Sequence, residues 1–373
     1  MTLRVLSVFG TRPEAVKMAP VVRQLKCTPG IESFVCVTAQ HRQMLDQVLN
    51  LFEISPDVDL DLMREDQSLA QISAAIFTNL DPVLSDISPD WVLVQGDTTT
   101  VAIAALLAYY RHIKVGHVEA GLRTHDKWQP FPEEINRRVA GVAADLHFAP
   151  TEWARQNLLR EGVSEKQIAV TGNPVIDALQ VVAQQPMPEM MEILLARLNT
   201  GAGGRRLILV TAHRRENFGE PLQSICEALK RLATRGDIEI VYPVHLNPNV
   251  KEPVYRLLGN LPHVTLLPPL DYLPLVHLMK RASLVLTDSG GIQEEAPAFG
   301  VPVLVLREVT ERPEGVAAGT LKLVGTDTDR IFSQAAQLLD DPVEYAKMAK
   351  AANPFGDGHA AERIVKALVD YPG

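Results

Sequence analysis

The sequence is poor in what would tie it to an oxidising compartment, a membrane or a nucleic acid. Its 373 residues include three cysteines, Cys27, Cys36 and Cys226. The number is odd and the spacing is not that of a ligand set, so a reducing, cytoplasmic setting is expected. No stretch approaches the ~20 apolar residues of a spanning helix. The opening MTLRVLSVFG has too short an apolar run for a signal peptide and reads directly as a strand. Cations are outnumbered, 36 Lys and Arg against 45 Asp and Glu, for a net charge of −9 and a pI near 5.6. Nucleic-acid and anionic-membrane partners are therefore not expected, and an anionic ligand must be held by local cations and helix ends. The GxGxxG spacing is missing after the first strand. None of the ten histidines stands in HxH or HxxxH spacing, so no metal is expected.

What is present is ordinary globular material, 46% hydrophobic and 22% charged, long enough for two domains. Apolar strand candidates recur near Val5, Val35, Leu93, Val115, Phe148 and Val170, and again near Leu209, Val241, Leu266, Val285, Val305 and Leu323. Segments of helical period lie between most neighbours, among them Ser68–Ile87, opened by the capping box Ser68-x-x-Gln71. Alternation of this kind predicts an α/β protein with two doubly wound parallel sheets, each a Rossmann-like domain, facing across a cleft. The rhythm breaks at 184–204, which predicts domains at 1–184 and 185–358. A final helix at 359–373 is expected to pack back on the first domain.

The most informative stretch is Leu284–Leu306, LVLTDSGGIQEEAPAFGVPVLVL. It reads as strand, glycine turn, short helix, turn, strand. Ser289, Gly290 and Gly291 let the backbone approach a ligand and aim free N–H groups at an anion. Glu295, one turn on, suits ribose hydroxyls. A plain Ser cap followed by dipole-favoured acids would read the same way.

Polar residues gather at the other strand ends. FGTRPEAVK places Thr11 as a cap and Arg12 and Lys17 as cations around a helix start. TAQHRQML places Gln40, His41 and Gln43 in a loop. VQGDTTT ends one strand at Asp97, and KVGHVEAGLRT puts Glu119 past the next. FPEEINRR puts Glu133 in the first turn of the following helix, where an i,i+4 pair with Arg137 is an alternative reading. Strand ends of a parallel sheet share one edge, so these carboxylates are expected in one crevice. In the second half His213 follows a strand beside two arginines, a candidate acid or phosphate donor. Leu270 and Leu275 lie in a Pro- and Leu-rich loop able to flank a planar base. Arg312 stands in a loop past Leu306.

Taken together, FGTRPEAVKMAP, TAQHRQMLDQV, GDTTT, GHVEAGLRT, PEEINRR, HRREN, YPVHLNPNV and TDSGGIQEEAP resemble the non-hydrolysing UDP-N-acetylglucosamine 2-epimerases over nearly the whole chain. The resemblance implies a GT-B-like fold, homodimerisation, and reversible conversion of UDP-N-acetylglucosamine to UDP-N-acetylmannosamine without added cofactor. It implies acid/base work by Asp97, Glu119 and Glu133, with His213 at the phosphates or leaving group. Phosphate contacts fall to Arg12, Lys17, Ser289, Gly290 and Gly291, ribose to Glu295, the sugar-phosphate to Arg312 and the base to Leu270–Leu275. It also implies a second UDP-N-acetylglucosamine as allosteric activator at Gln40, His41, Gln43 and Gln67. Gln95 stands where the family pattern leads one to expect His, and it can hydrogen-bond without shuttling protons. A hydrolysing epimerase, a GT-B glycosyltransferase and a sugar-nucleotide-binding regulator are the competing readings.

Overall fold

The structure is a computed structural model that describes residues 2–38, 42–64, 66–200 and 203–372, and of residues 42–44 the backbone only. The chain forms two compact units, Met1–Ala178 with Phe355–Gly373, and Leu179–Pro354. Among the described residues the first unit holds β1 (Leu3–Phe9), β2 (Ile31–Val37), β3 (Val58–Asp59), β4 (Trp91–Gln95), β5 (Lys114–Val118), β6 (Leu146–Ala149) and β7 (Ile168–Val170). They form one parallel sheet in the order β3-β2-β1-β4-β5-β6-β7. The chain winds outward from β1, returns to β4 at its side, and winds outward the other way. Such a reversal leaves a crevice at the C-terminal ends of β1 and β4. Val92, Leu93 and Val94 on β4 are fully buried, as befits a central strand covered by helices on both faces.

The second unit repeats the plan with β8 (Arg206–Thr211), β9 (Ile238–Pro243), β10 (Val264–Leu267), β11 (Leu284–Thr287), β12 (Val303–Val305) and β13 (Leu321–Leu323). Their order is β10-β9-β8-β11-β12-β13, all parallel, with the reversal between β8 and β11. Its core gathers Ile208, Val210, Leu284 and Leu286 from the sheet with Leu222, Ile225 and Leu229 from the helix Glu220–Ala233.

The apolar runs read as strands are strands in both units. The two-residue β3 was not foreseen, because Val58–Asp59 carries no apolar run. Thr11 and Ser68 cap their helices as reciprocal boxes with Glu14 and Gln71. The division between the units falls inside the helix Pro174–Val182. The first half of that helix is tied to the returning tail. Asp177 accepts the amides of Ala360 and Ala361 at 3.2 and 2.8 Å, and Asn173 donates its amide to Phe355. The last helix, Ala360–Val369, packs on the helix Arg12–Cys27 within the first unit. No helix among the described residues is long and apolar enough to cross a membrane.

Two measurements test this frame. A Cβ on Gly10 would stand 2.0 Å from Thr38 Oγ1, at the end of β1. Gly10→Ala should cost about 1–3 kcal/mol by overpacking, and adding Thr38→Ala should restore part of it. An unchanged denaturation midpoint in Gly10→Ala would refute the contact. His117 and His147 are each 1% exposed in β5 and β6. Burial, above all, pushes His117 down to about 4 and His147 to about 3. A histidine held neutral below its unfolded value near 6.5 contributes stability that is complete above pH 6.5. That stability is lost as pH falls toward 4, because the unfolded chain binds the extra proton. For His117 the loss is on the order of 3 kcal/mol. His117→Asn should flatten urea-unfolding stability over that window, and an equally steep pH dependence in the variant would contradict the assignment.

Candidate functional site at the strand ends

Register decides which side chains share an edge. In the first unit Gln95 pairs with Val118, so Gly96 and Asp97 leave β4 level with Glu119 leaving β5. Gly96 takes φ +82°, and Glu119 takes φ +62°, a left-handed conformation that costs a non-glycine residue energy. Several contacts hold it there. Lys17 Nζ donates to both carboxylate oxygens at 2.5 and 2.7 Å, Asn173 Nδ2 donates at 2.9 Å, and Gln95 Nε2 closes the set. The side chain is 5% exposed and that of Lys17 15%.

Lys17, expected among the phosphate cations, is placed on Glu119. The turn amides are also engaged: Glu14 is buried and accepts from the Gly10 and Thr11 amides at 2.8 and 2.7 Å and from Thr98 Oγ1 at 2.6 Å. Burial raises the pKa of Glu14 despite those bonds. Arg12, in the first helical turn, has no hydrogen-bond or ion-pair partner among the described residues.

Asp97 meets the Arg137 guanidinium. Arg137 is 8% exposed and also donates to Glu134 at 3.0 Å. The i,i+4 pair between Glu133 and Arg137 is therefore not formed, since Arg137 is committed to Asp97 and Glu134. Glu134 is fully buried and receives the Thr124 and His125 amides at 3.1 and 3.2 Å, so it braces the loop before the helix Glu133–Ala143. Glu133 itself is half-buried, and its Oε2 is a buried atom without a hydrogen-bond partner among the described residues. An orphaned buried oxygen on a carboxylate is rare in a purely structural role.

In the second unit Thr211 pairs with Thr287, which sets His213 level with Ser289. The two threonine hydroxyls join at 2.6 Å. Asp288, fully buried, accepts from the His213 and Arg214 amides at 2.8 Å each and from Asn217 Nδ2 at 3.0 Å. It therefore shapes the loop that carries His213. The His213 ring stacks on His245 with centroids 5.5 Å apart and leans toward Asp288, Nδ1 to Oδ1 3.6 Å. Ser289 occupies the cap position of the helix Gly290–Glu295 without a side-chain capping bond, so the plain Ser-cap reading fails. Its own amide donates to Thr287 Oγ1 at 2.9 Å.

A Cβ on Gly290 would meet the Arg312 guanidinium carbon at 3.4 Å, so Arg312 lies over the glycine turn. It is aimed by Glu294 at 2.6 Å and Glu311 at 3.2 Å. Glu295, 7% exposed, faces the buried Tyr272 hydroxyl, whose pKa burial and that carboxylate drive upward. Leu270 and Leu275 are half-buried, the latter on the helix Tyr272–Arg281.

Of the expected activator residues, Gln40, His41 and the side chain of Gln43 lie outside the described residues. Gln67 accepts the Arg64 amide at 2.9 Å and donates to the Leu62 carbonyl at 3.1 Å, bracing its own loop. Sequence reasoning missed Glu14, Glu134, Arg137, Asn173 and Asp288. Only Glu14 left a signal, the Thr-x-x-Glu box. The others act through partners distant in sequence.

A sequence model of the UDP-N-acetylglucosamine 2-epimerase family matches residues 23–369. The UDP-N-acetylglucosamine 2-epimerase of Escherichia coli K12 is 55% identical over 369 residues, covering 98% of both chains. The crystal structure of the UDP-GlcNAc 2-epimerase from Neisseria meningitidis, bound to UDP-GlcNAc, matches with a TM-score of 0.90 at 49% identity, covering 99% of this chain and 100% of that one. That of the Methanocaldococcus jannaschii enzyme, in complex with UDP-GlcNAc and UDP, matches with a TM-score of 0.79 at 32% identity, covering 98% and 99%. With two Rossmann-like domains of the GT-B-like kind and this full-length likeness, the chain belongs to the UDP-N-acetylglucosamine 2-epimerase family and is an isomerase.

Proposed function

We infer that the chain interconverts UDP-N-acetylglucosamine and UDP-N-acetylmannosamine by eliminating UDP and adding it back, with no water consumed. The relatives' names and the UDP-GlcNAc seen in related structures support the substrate. The observation that carries the chemistry is the carboxylate set at the edge of the first sheet: Glu119 clamped by Lys17, Gln95 and Asn173, Asp97 on Arg137, and Glu133 with its unpartnered oxygen.

The proton on the sugar C2 is barely acidic while UDP stays attached. As the bond from C1 to the UDP oxygen opens, positive charge grows at C1 and the adjacent C2–H becomes acidic. A carboxylate takes that proton, the electrons of the C–H bond form a C1–C2 double bond, and the C1–O pair leaves with UDP. The products of this half are 2-acetamidoglucal and UDP. Reversal, with a proton delivered to the opposite face of C2, gives the epimer, so atoms and electrons balance without a cofactor. Asp97, Glu119 and Glu133 share the proton transfers. Lys17 acts as a positioning cation for Glu119. In the second unit His213, the Ser289 hydroxyl and the amides of Gly290 and Gly291, with Arg312 over the turn, hold the diphosphate as its charge grows. Arg12, at the edge of the first sheet, is assigned to an anionic group of the substrate, Glu295 to ribose, and Leu270 and Leu275 to the faces of the base.

Proton NMR in D₂O with UDP-N-acetylglucosamine alone separates the readings. The expected result is deuterium at C2 and a mixed gluco/manno pool of intact UDP-sugars. Accumulating free N-acetylmannosamine would establish the hydrolysing reaction, and inert substrate would establish transfer or binding only. Glu133→Gln breaks no ion pair and should lower kcat by about 10²–10⁴-fold. UDP affinity should be retained, and C2 deuteration should slow in proportion. A kcat within a few-fold of the parent would remove Glu133 from the proton path.

A further inference from the structure

The second unit contains a cavity of about 650 Å³ that the proposed reaction does not use. Two helices line it, each with an i, i+3, i+4 face. Glu192, Leu195 and Ala196 come from the helix Glu189–Arg197, and His277, Lys280 and Arg281 from the helix Tyr272–Arg281. The volume lies in the range of small-molecule sites.

Cations in a last helical turn are commonplace, because they meet the negative end of the helix dipole. That does not account for His277. This residue is 6% exposed, yet its Nε2 is a buried atom without a partner. The other ring nitrogen is used on the backbone of Gln185, and burial keeps the ring neutral by lowering its pKa. A neutral ring that donates from Nδ1 presents a lone pair at Nε2, an acceptor awaiting a hydroxyl. Glu192 is a second acceptor on the facing wall and, like Arg281, has no hydrogen-bond or ion-pair partner among the described residues. Lys280, also in the lining, donates to the Ala183 carbonyl at 3.1 Å.

The wall thus offers two cations for a compact anion, two acceptors for hydroxyl groups, and Leu195 and Ala196 for an apolar C–H face. We propose that this cavity binds a small sugar phosphate, with Lys280 and Arg281 on the phosphate and His277 Nε2 and Glu192 on hydroxyls.

The probe is glucose 6-phosphate, titrated calorimetrically into the full chain saturated with UDP, so that the nucleotide-binding residues do not compete. Saturable binding is expected, at least about tenfold tighter than that of inorganic phosphate, with none for glucose. Arg281→Met, which removes a phosphate contact, and Ala196→Trp, which fills the cavity, should each weaken it by at least about tenfold. Both positions are exposed to solvent, so each variant should keep its circular dichroism spectrum and UDP affinity. Inorganic phosphate binding as tightly as the sugar phosphate, no saturation in the millimolar range, or isotherms unchanged in both variants would each overturn the assignment. None of these outcomes bears on the epimerisation read by NMR.

Discussion

The ion pair between Lys17 and Glu119 is the interaction on which the first unit's edge depends. Lys17 comes from the helix after β1 and Glu119 from the end of β5, so one contact ties together elements separated by β4 in the sheet. Both side chains are mostly withdrawn from water, and burying charge is unfavourable unless the partners are close and otherwise hydrogen-bonded. Here both conditions hold, because Asn173 and Gln95 add donors to the same carboxylate. Removing either charge would leave the other buried and alone, at a cost of about 3–5 kcal/mol. The pair also holds Glu119 at positive φ, a conformation a glutamate does not adopt unaided.

Each unit solves the same local problem by similar means. A parallel sheet that reverses its winding leaves two strand ends with no helix crossing directly between them. In the first unit Thr38 and Thr100 meet there at 3.0 Å, and Glu14 gathers the Gly10 and Thr11 amides. In the second unit Thr211 and Thr287 meet, and Asp288 gathers the His213 and Arg214 amides. In both cases a buried carboxylate satisfies backbone donors that would otherwise be stranded.

The strands were legible because parallel strands covered on both faces are short, nearly uninterrupted apolar runs. Caps were legible for a related reason: Thr11 and Ser68 act on amides three residues away, within one reading window. Glu133 was placed correctly in its helix, and the alternative reading, a pair with Arg137, is the one that is not formed. The i,i+4 rule describes an isolated helix, and Arg137 instead finds Asp97 from another strand end. The contact of Lys17 with Glu119 was not legible either, since nothing near Lys17 in sequence announces it.

By itself the sequence determined the α/β alternation, the two doubly wound sheets and the strand ends where polar residues collect. Those follow from hydrophobic period and local turn chemistry, which neighbouring residues decide. Only the tertiary structure decided which charges are spent on one another: Lys17 on Glu119, Arg137 on Asp97 and Glu134, Asp288 on the His213 loop. These pairings span tens of residues and depend on sheet order and register. Burial then decides whether such a contact organises the site or is lost to water.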